Sequence, residues 1–376
     1  MMSGRAATLD QAVSVARGQA PAKASLFWAL RRQFMLLDIF YLGFTGSLLV
    51  WALLSWCWPS LRLYETSPRF DWALKPHLTL ITELALFFGI YLVLQRFAIV
   101  FQRDYYAQGR AAPLWLRLAN LLYTFSPAVL APTLFQGLGS FMAVVSGVPG
   151  VESHPAFDPA QNYDRAATYF DLALKQLDIS LFGVYLPAWI RQFHTPGLSF
   201  VLFYCYIGYY ICPFVAALPQ IIRGNWQRAR LATAMAIGSL LITYVLYILV
   251  PATGPRFEGS WSAWLPAEGG WFWANEFSVF LDRQEIIRWD AFPSGHVATS
   301  ITCLLVALIM HRRVGWAYLP LVAGLTVATI YFGYHYATDV LVGFACVAVC
   351  FAVVWPLAQW WERATNPPAP NWQTRL

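Results

Sequence analysis

Charge is what this sequence has least of. Asp, Glu, Lys and Arg together make up 12% of its 376 residues, about half the ~25% of an average globular chain. Such a chain is neither intrinsically disordered over its bulk nor a charge-laced coiled coil. Cysteine is scarce too. The six, Cys57, Cys205, Cys212, Cys303, Cys346 and Cys350, all lie in apolar stretches and form no CxxC pair. That excludes a disulfide scaffold and a cysteine zinc site, and leaves small buried side chains. Hydrophobic residues, by contrast, reach 59%, above the ~45–50% of globular proteins. The expected class is an integral membrane protein. The net charge is +6, but the basic residues sit at the ends of apolar stretches, where helix flanks in a bilayer need them. No nucleic-acid partner is expected.

Eight stretches are apolar enough to be spans of about 20 residues: Ile39–Leu61, Pro76–Gln95, Leu118–Val151, Thr195–Ile222, Leu231–Pro255, Ala291–Met310, Val314–Tyr334 and Val340–Trp361. The third is long and carries Pro127 and Pro132, which predicts a kinked helix followed by irregular structure. The predicted fold is all-α: a polytopic transmembrane helix bundle with about eight spans. Residues 1–30 and 363–376 are expected to be cytoplasmic tails, with 1–30 disordered. Residues 31–177 carry the N-terminal spans and a polar outer loop, and 178–362 the rest. Ile179–Ile190 is apolar but too short to cross, so it is expected at the interface. The eighteen Trp fit aromatic belts, as do Tyr334 and Tyr336.

Eight crossings put both tails on one side. One set of connections holds Arg5, Arg17, Lys23, Arg31 and Arg32, then Arg103 and Arg110, then Arg223, Arg228 and Arg230, then Arg312 and Arg313. The other set, 62–75, 152–191 and 256–290, mixes both signs. The positive-inside rule puts both termini in the cytoplasm. The mixed-charge loops face periplasm or lumen, as in a bacterial inner membrane or an endomembrane.

Three stretches carry polar residues that hydropathy does not explain: Pro251-Ala-Thr-Gly-Pro-Arg256, Asp290-Ala-Phe-Pro-Ser-Gly-His296 and Tyr334-His-Tyr-Ala-Thr-Asp339. His296 and His335 are separated by two crossings, about 58 Å of helix at 1.5 Å per residue. Both therefore lie at the outer face, and Arg256, after an outward crossing, joins them. The chemistry fits phosphate. Pro293-Ser294-Gly295-His296 opens a helix, where backbone N–H groups favour an anion and Gly295 permits close approach. The Ser294 hydroxyl adds a donor, and Arg256 can fork onto phosphate oxygens. His335 and Asp339, at i and i+4, share a helix face, where a carboxylate can orient the imidazole. Asp290 is an accessory candidate. Two histidines and a carboxylate also suit a metal, but the arginine and the helix start favour phosphate, so no metal is expected.

At these residues the chain resembles the type 2 phosphatidic acid phosphatase superfamily. Pro293-Ser294-Gly295-His296 looks like its second motif and His335-Tyr-Ala-Thr-Asp339 like its third. Two usual cationic positions depart from it. Leu249 stands seven residues before Arg256 where a Lys is usual, and Ala328 and Thr329 stand where Ser-Arg is usual. The reduced set, with Asp178-Ile-Ser-Leu-Phe-Gly183, Pro187 and Trp189, is more similar to the inositol phosphorylceramide synthase, or inositolphosphotransferase-like, branch. Asp290 to His296 with His335, Tyr336 and Asp339 also resembles the sphingomyelin synthase pattern.

The resemblance implies that the last five spans carry a phosphatase-like catalytic core. His335 would be the nucleophile, with a phosphohistidine-type intermediate. Asp339 would orient it, and His296 would protonate the leaving oxygen. Arg256, Ser294, Gly295 and Asp290 would bind substrate. No cofactor is implied, and the partners are membrane lipids and a phosphate or phospho-head group. Water as acceptor gives a phosphatase; a lipid alcohol gives a phosphotransferase. A lipid binder or transporter is the competing class. The orientation predicts that a cysteine introduced at Ser260 reacts with an impermeant thiol reagent in intact cells. Protection of that cysteine would reverse the topology.

Overall fold

The computed structural model describes residues 36–57, Gly89, part of 113–138, 170–257 and 290–365. The Pro76–Gln95 span, Gly89 apart, lies outside the described residues. So do residues 1–35, the stretches 62–75, 152–169 and 258–289 expected to face outward, and residues 366–376. Among the described residues the chain is helical, with no strand and one isolated bridge between Ala252 and Asp290.

Helix α1 is Leu36–Cys57. Helix α2, Asp171–Phe182, stops at Gly183, whose φ of +73° is the left-handed conformation that ends helices. Helix α3, Leu186–Ile190, runs into a 3-10 turn at Arg191–Phe193. Helix α4, Pro196–Ile207, is capped by Thr195, whose Oγ1 accepts from Leu198 N at 3.3 Å. It passes through a 3-10 turn, Gly208–Ile211, into α5, Cys212–Ile222. Pro213 explains the change of pitch, because it has no N–H for the carbonyl four residues back. Helix α6, Trp226–Leu249, is capped by Asn225 and ends before Pro251. Helices α7, Gly295–Met310, and α8, Arg312–Tyr331, form a tight hairpin through His311. Helix α9, Ala337–Val349, continues through a π turn, Cys350–Val354, into α10, Trp355–Thr365.

Among the described residues four segments are long and apolar enough to cross a membrane: Pro196–Ile222, Trp226–Leu249, Arg312–Tyr331 and Ala337–Trp361. They mark an integral membrane protein. Gly295–Met310 and Asp38–Trp51 are apolar but shorter. The described residues between 114 and 138 are helical.

Helix α6 is the axis of the bundle. In its apolar window 78% of residues are buried, against 33–39% in the other three segments. Its small residues Ala229, Ala232, Ala234 and Ala236 bring neighbours close, as membrane helices require. Met235, Leu240 and Tyr244 pack with Tyr41 and Leu48 of α1, Val306 of α7, Val354 of the π turn and Trp361 of α10. A Cβ built on Gly238 would lie 2.7 Å from Val354 Cγ1. Valine is stiff at χ1 and has no rotamer to retreat into cheaply. Gly238→Val is therefore expected to destabilise the protein by about 1–3 kcal/mol. Val354→Ala in the same chain should restore part of the loss in a thermal melt in detergent. An unchanged melting temperature in Gly238→Val would refute the contact.

Candidate active site

Three helix ends make the site, and their backbones bond to one another. After Pro251 stops α6, residues 252–256 run beside 290–291: the Ala252–Asp290 bridge is parallel, and Ala291 N donates to Ala252 O at 3.0 Å. Arg256 N donates to Gly333 O at 2.7 Å, and Ser294 N to Asp339 O at 3.0 Å. The three polar stretches foreseen from the sequence thus meet. At Gly254 the chain turns with φ +89°, and an added Cβ would lie 2.5 Å from Tyr334 O, so both conformation and space demand glycine.

His335 is buried and sits between the end of α8 and the start of α9. Its N–H donates to Thr329 O at 3.0 Å. Its Nδ1 lies 2.6 Å from the carbonyl oxygen of Ala291. A carbonyl only accepts, so Nδ1 carries the proton and Nε2 the lone pair. The sequence led us to expect Asp339 on that nitrogen. Asp339 Oδ2 instead stands 3.6 Å from Nδ1, within ion-pair reach, and accepts from Tyr336 N at 2.7 Å. Asp339 is fully buried. His296, half-buried on the first turn of α7, faces His335 with ring centroids 5.7 Å apart.

Ser294 is fully buried and caps α7, its Oγ accepting from Val297 N at 3.3 Å. Where Gly295 was expected to admit an anion, the space a Cβ would take is filled by the Tyr247 hydroxyl and Thr243 Oγ1. The glycine lets α6 and α7 close. Asp290 is half-buried and joins the site through its backbone bridge.

An aromatic stack, not foreseen from the sequence, links the arginine to the second histidine. The Arg256 guanidinium lies 4.5 Å over the Tyr334 ring. Tyr334 stacks on Tyr206 at 4.7 Å and 8°. Tyr206 stacks on His296 at 4.8 Å, and Tyr209 closes the other side at 4.4 Å. Tyr334 and Tyr336 are therefore not belt aromatics. Tyr336 is fully buried, and its hydroxyl donates to Asp171 Oδ1 at 3.0 Å.

Two carboxylates of α2 also reach the site. Asp171 accepts from Thr253 N at 3.0 Å and from Gly254 N at 2.8 Å. Burial pushes its carboxyl above the usual carboxylate range, against the pull of these donors and of Tyr336. Asp178 accepts from Ala337 N at 2.9 Å and from Thr338 N at 2.8 Å, and also from the Thr338 hydroxyl. With Leu174 they form a buried stripe at i, i+3 and i+7. That spacing was the signal available in the sequence. Among the described residues no group of three His, Cys, Asp or Glu side chains could hold a metal ion.

Residues 173–353, a little under half of the chain, match the family model of the PAP2 superfamily. Comparison with curated proteins and with solved structures gave no match.

The Gly254 contact carries a prediction. Gly254→Ala should destabilise the protein by about 1–3 kcal/mol, through left-handed strain and the clash with Tyr334 O. The measurement is a thermal melt of purified protein. Wild-type stability would show that the turn is not held as described.

Proposed function

We propose, from the PAP2 superfamily match and the geometry of the three helix ends, that this protein is an integral membrane enzyme that cleaves or transfers a phosphate ester on a lipid. The observation that carries this reading is the His335 ring, tethered at Nδ1 to Ala291 O, with Asp339 on the same side and His296 opposite. A ring so held presents the Nε2 lone pair as a nucleophile.

In the first half-reaction Nε2 of His335 attacks phosphorus. The bond from phosphorus to the leaving oxygen breaks, and that oxygen takes a proton from His296. Asp339 stabilises the positive charge on the phosphorylated ring. Arg256 and the start of α7, with Ser294 and Gly295, hold the non-bridging oxygens, and Asp290 supports them through the bridge to Ala252. In the second half-reaction an acceptor hydroxyl loses its proton to His296 and attacks phosphorus, which releases His335.

A specific observation favours a lipid head-group transferase of the inositolphosphotransferase type over a simple phosphatase. Neither of the two departures from the family's cationic positions, Leu249 and the Ala328-Thr329 pair, supplies a cation. Leu249 is exposed, Ala328 and Thr329 are fully buried, and the Thr329 carbonyl is occupied by His335 N. Less positive charge suits a phosphodiester better than a phosphomonoester, since the diester carries less negative charge. Both termini are then cytoplasmic, and the site opens to periplasm or lumen.

The deciding experiment offers the purified protein phosphatidic acid, phosphatidylinositol and phosphatidylglycerol phosphate, with ceramide and diacylglycerol as acceptors. Free phosphate and new lipids are followed by mass spectrometry beside His335→Ala. A new phospholipid that disappears in the variant is the expected result. Free phosphate alone would make the enzyme a phosphatase. Turnover that survives in His335→Ala would overturn the assignment of the nucleophile.

A further inference from the structure

Helix α2 is polarised the opposite way from a surface helix in water. Its buried stripe carries two carboxylates, Asp171 and Asp178, while Leu172, Leu177, Ile179 and Leu181 are exposed. Carboxylates are turned inward only where donors meet them, because an unpaired buried charge is costly. The donors here belong to the two stretches that hold the candidate nucleophile and the candidate phosphate-binding arginine.

Asp178 meets the first N–H groups of α9. A helix start leaves such donors without intrahelical partners, and the N-cap position of α9 is Tyr336, whose side chain is not a usual cap. Asp178 supplies the missing acceptor from 159 and 160 residues away, at Ala337 N and Thr338 N. Asp171 holds the other flank. It binds the Tyr336 hydroxyl, one residue after His335, and the Thr253 and Gly254 amides, just before Arg256. The backbone N–H groups from His335 to Asp339 all have partners: Thr329 O, Asp339 Oδ2, both Asp178 oxygens and Tyr336 O. Two of those five partners come from Asp178.

We infer that Asp171 and Asp178 are positioning residues: from one face of α2 they clamp the Thr253–Gly254 turn and the start of α9 in the register that aims His335 at phosphorus. This rests on the reading of His335 as the nucleophile. Neither carboxylate touches the reacting atoms. Each acts through backbone that a reacting or binding residue shares. Asparagine is the informative replacement. It keeps the shape; at Asp178, where each oxygen serves a different amide, it turns an NH2 group toward an N–H that needs an acceptor, and at Asp171 it removes the charge and sets an NH2 group against Thr253 N.

The test compares wild type, Asp171→Asn, Asp178→Asn and His335→Ala as full-length protein. The probes are phosphatidic acid, and phosphatidylinositol with ceramide. Amounts are matched by the folded fraction in a thermal melt. In each Asn variant kcat should fall roughly tenfold to a hundredfold, the scale that a small misplacement of reacting groups produces, with KM little changed. A purely structural role would lower the folded fraction and leave kcat per folded molecule intact. Wild-type kcat in both Asn variants beside an inactive His335→Ala would overturn the clamp and leave the nucleophile standing. A rise in KM with kcat unchanged would also overturn it. Turnover that survives in His335→Ala, or no turnover of either probe by wild type, would remove the reading beneath it. Should the Asn variants fail to fold, Tyr336→Phe and Thr338→Val carry the test. Each deletes one hydroxyl bonded to a clamp carboxylate, and full kcat in both would overturn the proposal.

Discussion

Where three helices end inside a low-dielectric bundle, their terminal amide and carbonyl groups must find partners, and everything else in this site follows from that requirement. A buried polar group left without a hydrogen bond costs about 1–3 kcal/mol, and water is scarce at such depth. The chain meets the requirement by bonding the ends to each other: Arg256 to Gly333, Ala291 to Ala252, and Ser294 to Asp339. Where the ends cannot serve one another, the carboxylates of α2 fill in. The side chains proposed for chemistry ride on backbone that is already fixed by this accounting. Their convergence is thus a by-product of hydrogen-bond satisfaction.

The aromatic stack extends the same economy to side chains. Arg256, Tyr334, Tyr206, His296 and Tyr209 form one continuous row. Ring contacts of this kind contribute about 0.5–1.5 kcal/mol each beyond area burial, and they are directional. Row members from α4 and the 3-10 turn after it set the plane of the second histidine. Residues from the loops after α6 and α8 set the seat of the arginine. The seat of His296 is therefore shaped by α4, through a ring contact from Tyr206.

Much of this was legible in the sequence. Four of the five apolar runs from Thr195 onward became helices long enough to cross, because hydropathy at that length has few other solutions. The fifth, Ala291–Met310, became a shorter helix because its first residues form the turn before Gly295. The meeting of Arg256, His296 and His335 followed from counting residues between turns. Other features were not legible, for physical reasons. Ala291 acts through its carbonyl, which any residue would provide. The task of Gly295 is set by Tyr247 across a helix interface, and long-range packing leaves no local trace. Tyr334 and Tyr336 look like belt aromatics because interfacial and stacked tyrosines have the same composition. Asp171 was hidden by its setting, since an acidic residue in a polar-looking stretch reads as solvated; Asp178 entered only through the resemblance, with no role, and only the i, i+7 spacing hints at a shared buried face.

The tether on His335 divides two tasks that one carboxylate often performs alone. Steering belongs to the Ala291 carbonyl, 2.6 Å from Nδ1. Charge balance belongs to Asp339, a step further away. A carbonyl neither gains nor loses a proton in water's range, so the bond that fixes the ring's rotation does not itself titrate. The ring's orientational entropy is surrendered once, when the protein folds, and is not surrendered again at each catalytic cycle.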